Sequence, residues 1–211
     1  MERKPRPNHP YAHAARLPEG EAPVEIDSIL PASGPVEIEI GGGKGGFVFE
    51  RLAAAPEVRV LGFEIRLKLA CTVDEKLAKL GLAGRGRVLA EDARRALPRL
   101  SPSGSVRAVF LHFPDPWWKK RHEKRLVMGD VVLAEIVRLL EPGGALFVQT
   151  DVEDRAALYR AQVATRPELV PSGDVAGDPT LAENPYGARS PREHRAIADG
   201  LPIHRMRWKR A

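Results

Sequence analysis

Cysteine is all but missing: Cys71 stands alone in 211 residues, which excludes an internal disulfide and a cage of thiolates around a metal. It falls in a helical pattern, as a small apolar core residue does. The histidines (His9, His13, His112, His122, His194 and His204) show no ligand spacing, so no metal site is expected. Long apolar runs are missing too. Nothing approaches the roughly 20 residues that a membrane span needs. The opening MERKPRPNHPYAH is basic and polar where a signal peptide has an apolar core. A soluble cytoplasmic protein is expected, monomeric or homodimeric, with no membrane partner. Charge is not one-sided: 33 Lys and Arg face 28 Asp and Glu, and the pI is about 9.5. A polyanion must therefore be met by local clusters rather than by bulk charge. Internal repeats and low-complexity blocks are lacking as well.

What is present suits one domain with a full core, since 43% of the residues are hydrophobic. Residues 1–33 carry many prolines and little periodicity, and read as an irregular basic arm. Its Arg3, Lys4, Arg6 and Arg16 could reach a phosphate backbone or belong to a disordered tail. Residues 34–211 read as a single domain. Val36 to Ile40 alternates as a strand, GGGKGG breaks it, and Phe47 to Ala55 reads as a helix stopped near Pro56. Strands follow at 58–65, 87–90, 106–113 and 145–150. The helix expected over 126–140 is closed by the turn EPGG, and another runs over 153–165. An excursion is expected over about 166–200, and Ile203 to Trp208 alternates as a final strand. Strand and helix in such alternation predict an α/β fold with helices on both faces of the sheet. Ligands then bind at the carboxyl ends of the strands.

The residues at those ends carry the chemistry. Gly41, Gly43 and Gly46 satisfy G-x-G-x-x-G at a strand-to-helix turn, where backbone can approach a ligand closely. No Lys-Ser or Lys-Thr pair closes the run, so it is not a phosphate-binding P-loop. Glu39 lies two residues before Gly41, and a carboxylate there repels a pyrophosphate. It welcomes a ligand that carries an ammonium and a sulfonium, as S-adenosylmethionine does. Glu64 closes the second strand, where an acid accepts both ribose hydroxyls. Asp92 closes the third and suits an adenine amino group, a helix N-cap, or both.

The fourth strand runs into Phe113–Arg125, FPDPWWKKRHEKR. Each proline restricts the residue before it towards extended conformations, which holds Phe113 and Asp115 in defined directions. Trp117 and Trp118 offer stacking surface, and Lys119, Lys120, Arg121, Lys124 and Arg125 form a cationic run. One acid beside aromatic rings and clustered cations suits a base with its phosphates. A proline-stiffened loop leading into a solvated charged helix fits the same residues. The fifth strand ends at Asp151.

EIGGGKGG, GFEI, EDA, FPDPWWKKRHEKR and the strand ending QTD together resemble the bacterial tRNA (guanine-N7)-methyltransferase family, collinearly from Val36 to Tyr159. The resemblance implies a Rossmann-like class I methyltransferase fold, with a mostly parallel seven-stranded sheet and an antiparallel last strand. It implies S-adenosylmethionine as methyl donor and a guanosine in the tRNA variable loop as acceptor. By position, Glu39, Glu64, Asp92 and Asp115 match the family's donor-site residues, with Gly41 and Gly43 beside them. Asp115 would also be catalytic. Lys119 and Asp151 match its substrate contacts, and Ser190, Pro191, Arg192 and Glu193 align with its C-terminal Thr-x-aromatic-Glu motif. Here Ser190 stands for Thr, Arg192 for an aromatic, and Gly42 for a common Phe. Lys120, Arg121, Lys124 and Arg125 would form the RNA patch. Three other readings stay open: an NAD-dependent oxidoreductase, a non-catalytic RNA-binding relative, and a methyltransferase acting on a small molecule or protein.

Overall fold

Strand and helix alternate through residues 9–114 and 128–211, the residues that the computed structural model describes. A short strand β1 (Val24–Glu25) and one turn of helix α1 (Ile26–Ile29) come first. Then follow β2 (Val36–Ile40), α2 (Gly46–Ala54), β3 (Arg59–Phe63), α3 (Leu67–Lys79) and β4 (Gly86–Leu89). After these come α4 (Ala93–Ala96), β5 (Leu100–Ser101), β6 (Val106–His112), α5 (Asp130–Leu139) and β7 (Leu140–Thr150). The chain closes with α6 (Glu153–Val163), β8 (Leu169–Pro171), β9 (Thr180–Leu181), α7 (Pro191–Ala198) and β10 (His204–Arg210). Among the described residues, no helix is long and apolar enough to cross a membrane.

The main sheet has the order β4-β3-β2-β6-β7-β10-β8, with β9 also on β10. From β4 through β7 the pairs are parallel, while β10 runs antiparallel to β7, β8 and β9. The expected parallel sheet with its antiparallel last strand is present, and β8 and β9 extend it. Chain order reverses between β2 and β6, which opens a crevice at their carboxyl ends.

Alternation along β2 divides the core. Val36, Ile38 and Ile40 enter one layer with Val132, Leu133 and Ile136 of α5 and Tyr159 of α6. On the other face, Val60 and Val88 meet Val48 and Leu52 of α2 and Leu77 of α3. Phe110 and Phe147 extend that second layer over Phe47. Glu37 and Glu39, out of phase with Ile38, turn to the second face, yet all five β2 residues are buried. Buried carboxylates demand partners.

Several expectations change. The arm of residues 1–33, expected to be irregular, buries Ala14, Leu17, Val24, Ile26 and Leu30. Arg59 of β3 ties it down, donating to the carbonyls of Leu30 at 2.8 Å and Gly34 at 2.7 Å. The EPGG turn does not separate α5 from a strand at 145. Strand pairing starts at Leu140, and the register slips so that Val106 faces Leu140 while Ala108 faces Ala145. The excursion at 166–200 is stitched to the sheet edge through β8, β9 and α7, because its apolar Leu169, Leu181 and Ala196 are buried.

Candidate functional site

Beyond Ile40 the chain leaves the sheet by left-handed turns, with φ at +78° for Gly41 and +57° for Gly43. Two other glycines of the run serve close approach. A Cβ on Gly42 would lie 2.7 Å from Glu39 Oε2, and one on Gly46 would lie 2.5 Å from the Pro191 ring. The loop therefore settles over Glu39 on one side and against α7 on the other. Between loop, β6, β7 and α7 lies a cleft of about 530 Å3 at the point where chain order reverses.

Its floor is acidic. Glu39 is 1% exposed; one carboxylate oxygen lies 3.3 Å from His112 Nδ1, and Oε2 has no partner among the described residues. A buried carboxylate oxygen left unpaired costs roughly 1–3 kcal/mol or more, so this one fits a cationic ligand group. His112 Nε2 and both amide atoms of Gln149 are likewise buried without a partner among the described residues. The two residues pair across β6 and β7, which puts both on Glu39's face of the sheet. Cations form the rim: Lys44, Arg66, Arg192 and Arg195 line the same cleft.

Glu64 does not line the cleft, but it fixes the wall. It accepts the Gly43 N–H at 2.8 Å, the Arg66 N–H at 2.8 Å and the Arg66 side chain at 3.0 and 3.1 Å. Burial pushes its carboxyl up, but the Arg66 and Gly43 hydrogen bonds outweigh that and hold it below the usual range. Asp92 also lies off the cleft. It caps α4 by accepting the Arg94 N–H at 3.0 Å, and it pairs with the Arg94 guanidinium. Burial again opposes, and the Arg94 bonds again prevail, so this carboxyl too is depressed.

On the opposite wall, Asp151 at the end of β7 is paired with the Arg192 guanidinium. Ser190, Pro191 and Arg192 line the cleft, and the Ser190 hydroxyl caps α7 by accepting the Glu193 N–H at 3.2 Å. Glu193, expected beside substrate, does not line it. Fully buried, it accepts from Arg205 at 3.2 Å and from Asn184 at 2.9 Å, so it joins α7 to β10 and the preceding loop.

Phe113 corrects another expectation. Instead of the extended form that Pro114 favours, it has φ +48°. Its N–H stays on the Gln149 carbonyl at 2.8 Å while the chain turns out of the sheet at the cleft's edge. Asp115, Lys119, Lys120, Arg121, Lys124 and Arg125 lie outside the described residues. Sequence reasoning missed His112, Arg66 and Arg195 as lining residues. For His112 a signal existed, since it is the polar residue ending an apolar strand beside Phe113-Pro114.

This layout, a glycine turn over a buried acid where a parallel sheet reverses its order, is that of a class I methyltransferase, and solved structures agree. The 16S rRNA methyltransferase KamB superposes with a TM-score of 0.62 at 16% identity, covering 88% of this chain and 92% of its own. Geranyl diphosphate C-methyltransferase from Streptomyces coelicolor A3(2) gives 0.53 at 16% identity, covering 87% and 76%. At such identities the likeness speaks for the fold alone. Sequence goes further. A family described as "Putative methyltransferase" matches residues 33–206. The tRNA (guanine-N(7)-)-methyltransferase of Myxococcus xanthus (strain DK1622) is 37% identical over 187 residues, 89% of each chain. That of Anaeromyxobacter dehalogenans (strain 2CP-C) is 40% identical over 202 residues, 92% of this chain and 98% of its own. The chain belongs to the tRNA (guanine-N7)-methyltransferase family.

Proposed function

We propose that this chain transfers a methyl group from S-adenosylmethionine to N7 of a guanosine in the variable loop of tRNA. The observation that carries the reading is the buried Glu39 Oε2 beneath the glycine turn, unpartnered among the described residues. A pyrophosphate would be repelled there, which disfavours a dinucleotide, whereas an ammonium supplies the missing donor. S-adenosylmethionine brings a methyl carbon on a positively charged sulfur, and the carbon–sulfur bond breaks as N7 takes the methyl.

The residues divide the remaining tasks. Glu39 takes the ammonium of the donor's amino-acid end, and Gly41 and Gly43 let the backbone close around it. Glu64 accepts the ribose hydroxyls once Arg66, whose side chain is 59% exposed, swings aside into water. Asp92 accepts from the adenine amino group while still capping α4. Because N7 already holds a free lone pair, no base has to remove a proton before attack. Alignment of nucleophile and methyl is the main requirement. Asp115 orients the guanine, and Lys119 and Asp151 hold the nucleotide. The cations from Lys120 to Arg125 dock neighbouring phosphates, assisted by Arg192 and Arg195 at the rim. N7 faces the deep, narrow groove of A-form RNA, so the guanosine has to be offered from a loop or turned out of the stack.

The test incubates unmodified tRNA with the full chain and labelled donor, then maps the modified position. N7-methylguanosine at one variable-loop position is the expected result. Binding of tRNA and donor without transfer would instead make the chain a non-catalytic relative. Calorimetry with NAD closes the oxidoreductase reading if no heat of binding appears.

A further inference from the structure

We propose that His13, Cys71 and Glu75 form a surface zinc site that clamps the N-terminal arm onto α3. The proposal stands independently of the methyl-transfer reading. Cys71 and Glu75 are one helical turn apart on α3, so their side chains share a face. His13 comes from 58 residues away, and the arm's own backbone delivers it. A turn closes on the Ala14 N–H to Tyr11 carbonyl bond at 3.1 Å, and the Ala15 carbonyl accepts the Ala90 N–H at 2.8 Å.

The three donor atoms lie within 4.8 Å of one another. His13 Nε2 is 3.3 Å from Cys71 Sγ and 2.8 Å from Glu75 Oε1, and Sγ to Oε1 is 3.6 Å. Around tetrahedral Zn2+, with Zn–S near 2.3 Å and Zn–N or Zn–O near 2.0 Å, neighbouring donors stand about 3.3–3.6 Å apart. Both edges that involve sulfur already match. Only the His–Glu edge has to open, by roughly half an ångström. Both side chains can do so, being 62% and 49% exposed. Water supplies the fourth ligand from the open side. Thiolate, imidazole and carboxylate suit zinc rather than magnesium or calcium. Binding displaces the thiol proton to solvent and leaves the metal's oxidation state unchanged. The clamp would hold the arm where the Leu17 N–H reaches Glu91 Oε1 at 3.3 Å, next to Asp92.

The experiment titrates Co2+ and then Zn2+ into the tag-free, metal-stripped full chain under a non-thiol reductant. A thiolate-to-cobalt absorption band is expected, abolished by Zn2+ and absent in Cys71→Ser. His13→Ala removes an exposed arm side chain, so it keeps the fold. It should weaken Zn2+ affinity on the order of tenfold or more. No thiolate band in the parent chain, or equal Zn2+ affinity in parent and His13→Ala, would overturn the proposal.

Discussion

Glu37 and Glu39 stand two residues apart on one strand, on one face of the sheet, and both are buried to within 1%. Their surroundings differ completely. Glu37 takes Arg51 Nε and Nη2 at 2.8 Å each and Arg107 Nη2 at 2.8 Å, and Arg51 passes on to the Tyr186 carbonyl at 2.6 Å. The Glu37 hydrogen bond, with its charge, raises the Arg51 guanidinium further despite burial, while burial pushes Tyr186 up to about 12. Among the described residues, Glu39 has one histidine and an idle oxygen. One carboxylate is saturated and structural, while the other is the one to which the proposed function gives the donor's ammonium. Burial alone does not mark a functional acid; the unfilled half of its hydrogen-bonding capacity does.

The largest effect should come from breaking the saturated side. Glu37→Ala leaves Arg51 buried without its partner and should cost about 3–5 kcal/mol in chemical denaturation. At temperatures where the variant stays folded, turnover per folded molecule should be little changed. Breaking the other side should do the reverse. Glu39→Ala should leave the denaturation midpoint near the parent's and cut methyl transfer at low donor concentration by roughly 10–100-fold. That range corresponds to charge-assisted bonds of about 1.5–3 kcal/mol.

A smaller effect concerns the wall that Glu64 fixes. Its folded carboxyl is depressed, so its stabilisation is complete above the ordinary glutamate range and is lost as pH falls through the folded value. Glu64→Gln should therefore lower stability at neutral pH and flatten the acid limb of a stability–pH curve. The smallest effect is expected at Gly42. The three described atoms nearest its added Cβ all belong to the Glu39 carboxyl group, so Gly42→Ala should shift donor affinity several-fold, on the order of 1 kcal/mol, and barely alter melting.

Much of this molecule was legible because local pattern and fold agree. Period-two alternation at 36–40, a glycine break and a helical repeat after it suffice for β2, the turn and α2, and hence for where a ligand sits. Alternation likewise marked the strand β10, while its antiparallel direction was implied by the family resemblance and not by the local pattern. What stayed hidden depends on partners far along the chain. Its place two residues before Gly41 marked Glu39, but nothing local shows that Glu37 is saturated, since Arg107 and the Tyr186 carbonyl lie far along the chain. Glu193 matched a family motif, yet its carboxylate is held by Arg205 and Asn184. The arm lacks periodicity because it packs single apolar residues, such as Leu17 and Leu30, rather than a continuous face.

Calorimetric titration of S-adenosylmethionine into the parent chain and Glu39→Gln tests the central assignment most directly. The variant keeps the shape and loses the charge. At least about tenfold weaker binding with an unchanged melting temperature is the expected result. Equal affinity in the two chains would contradict it.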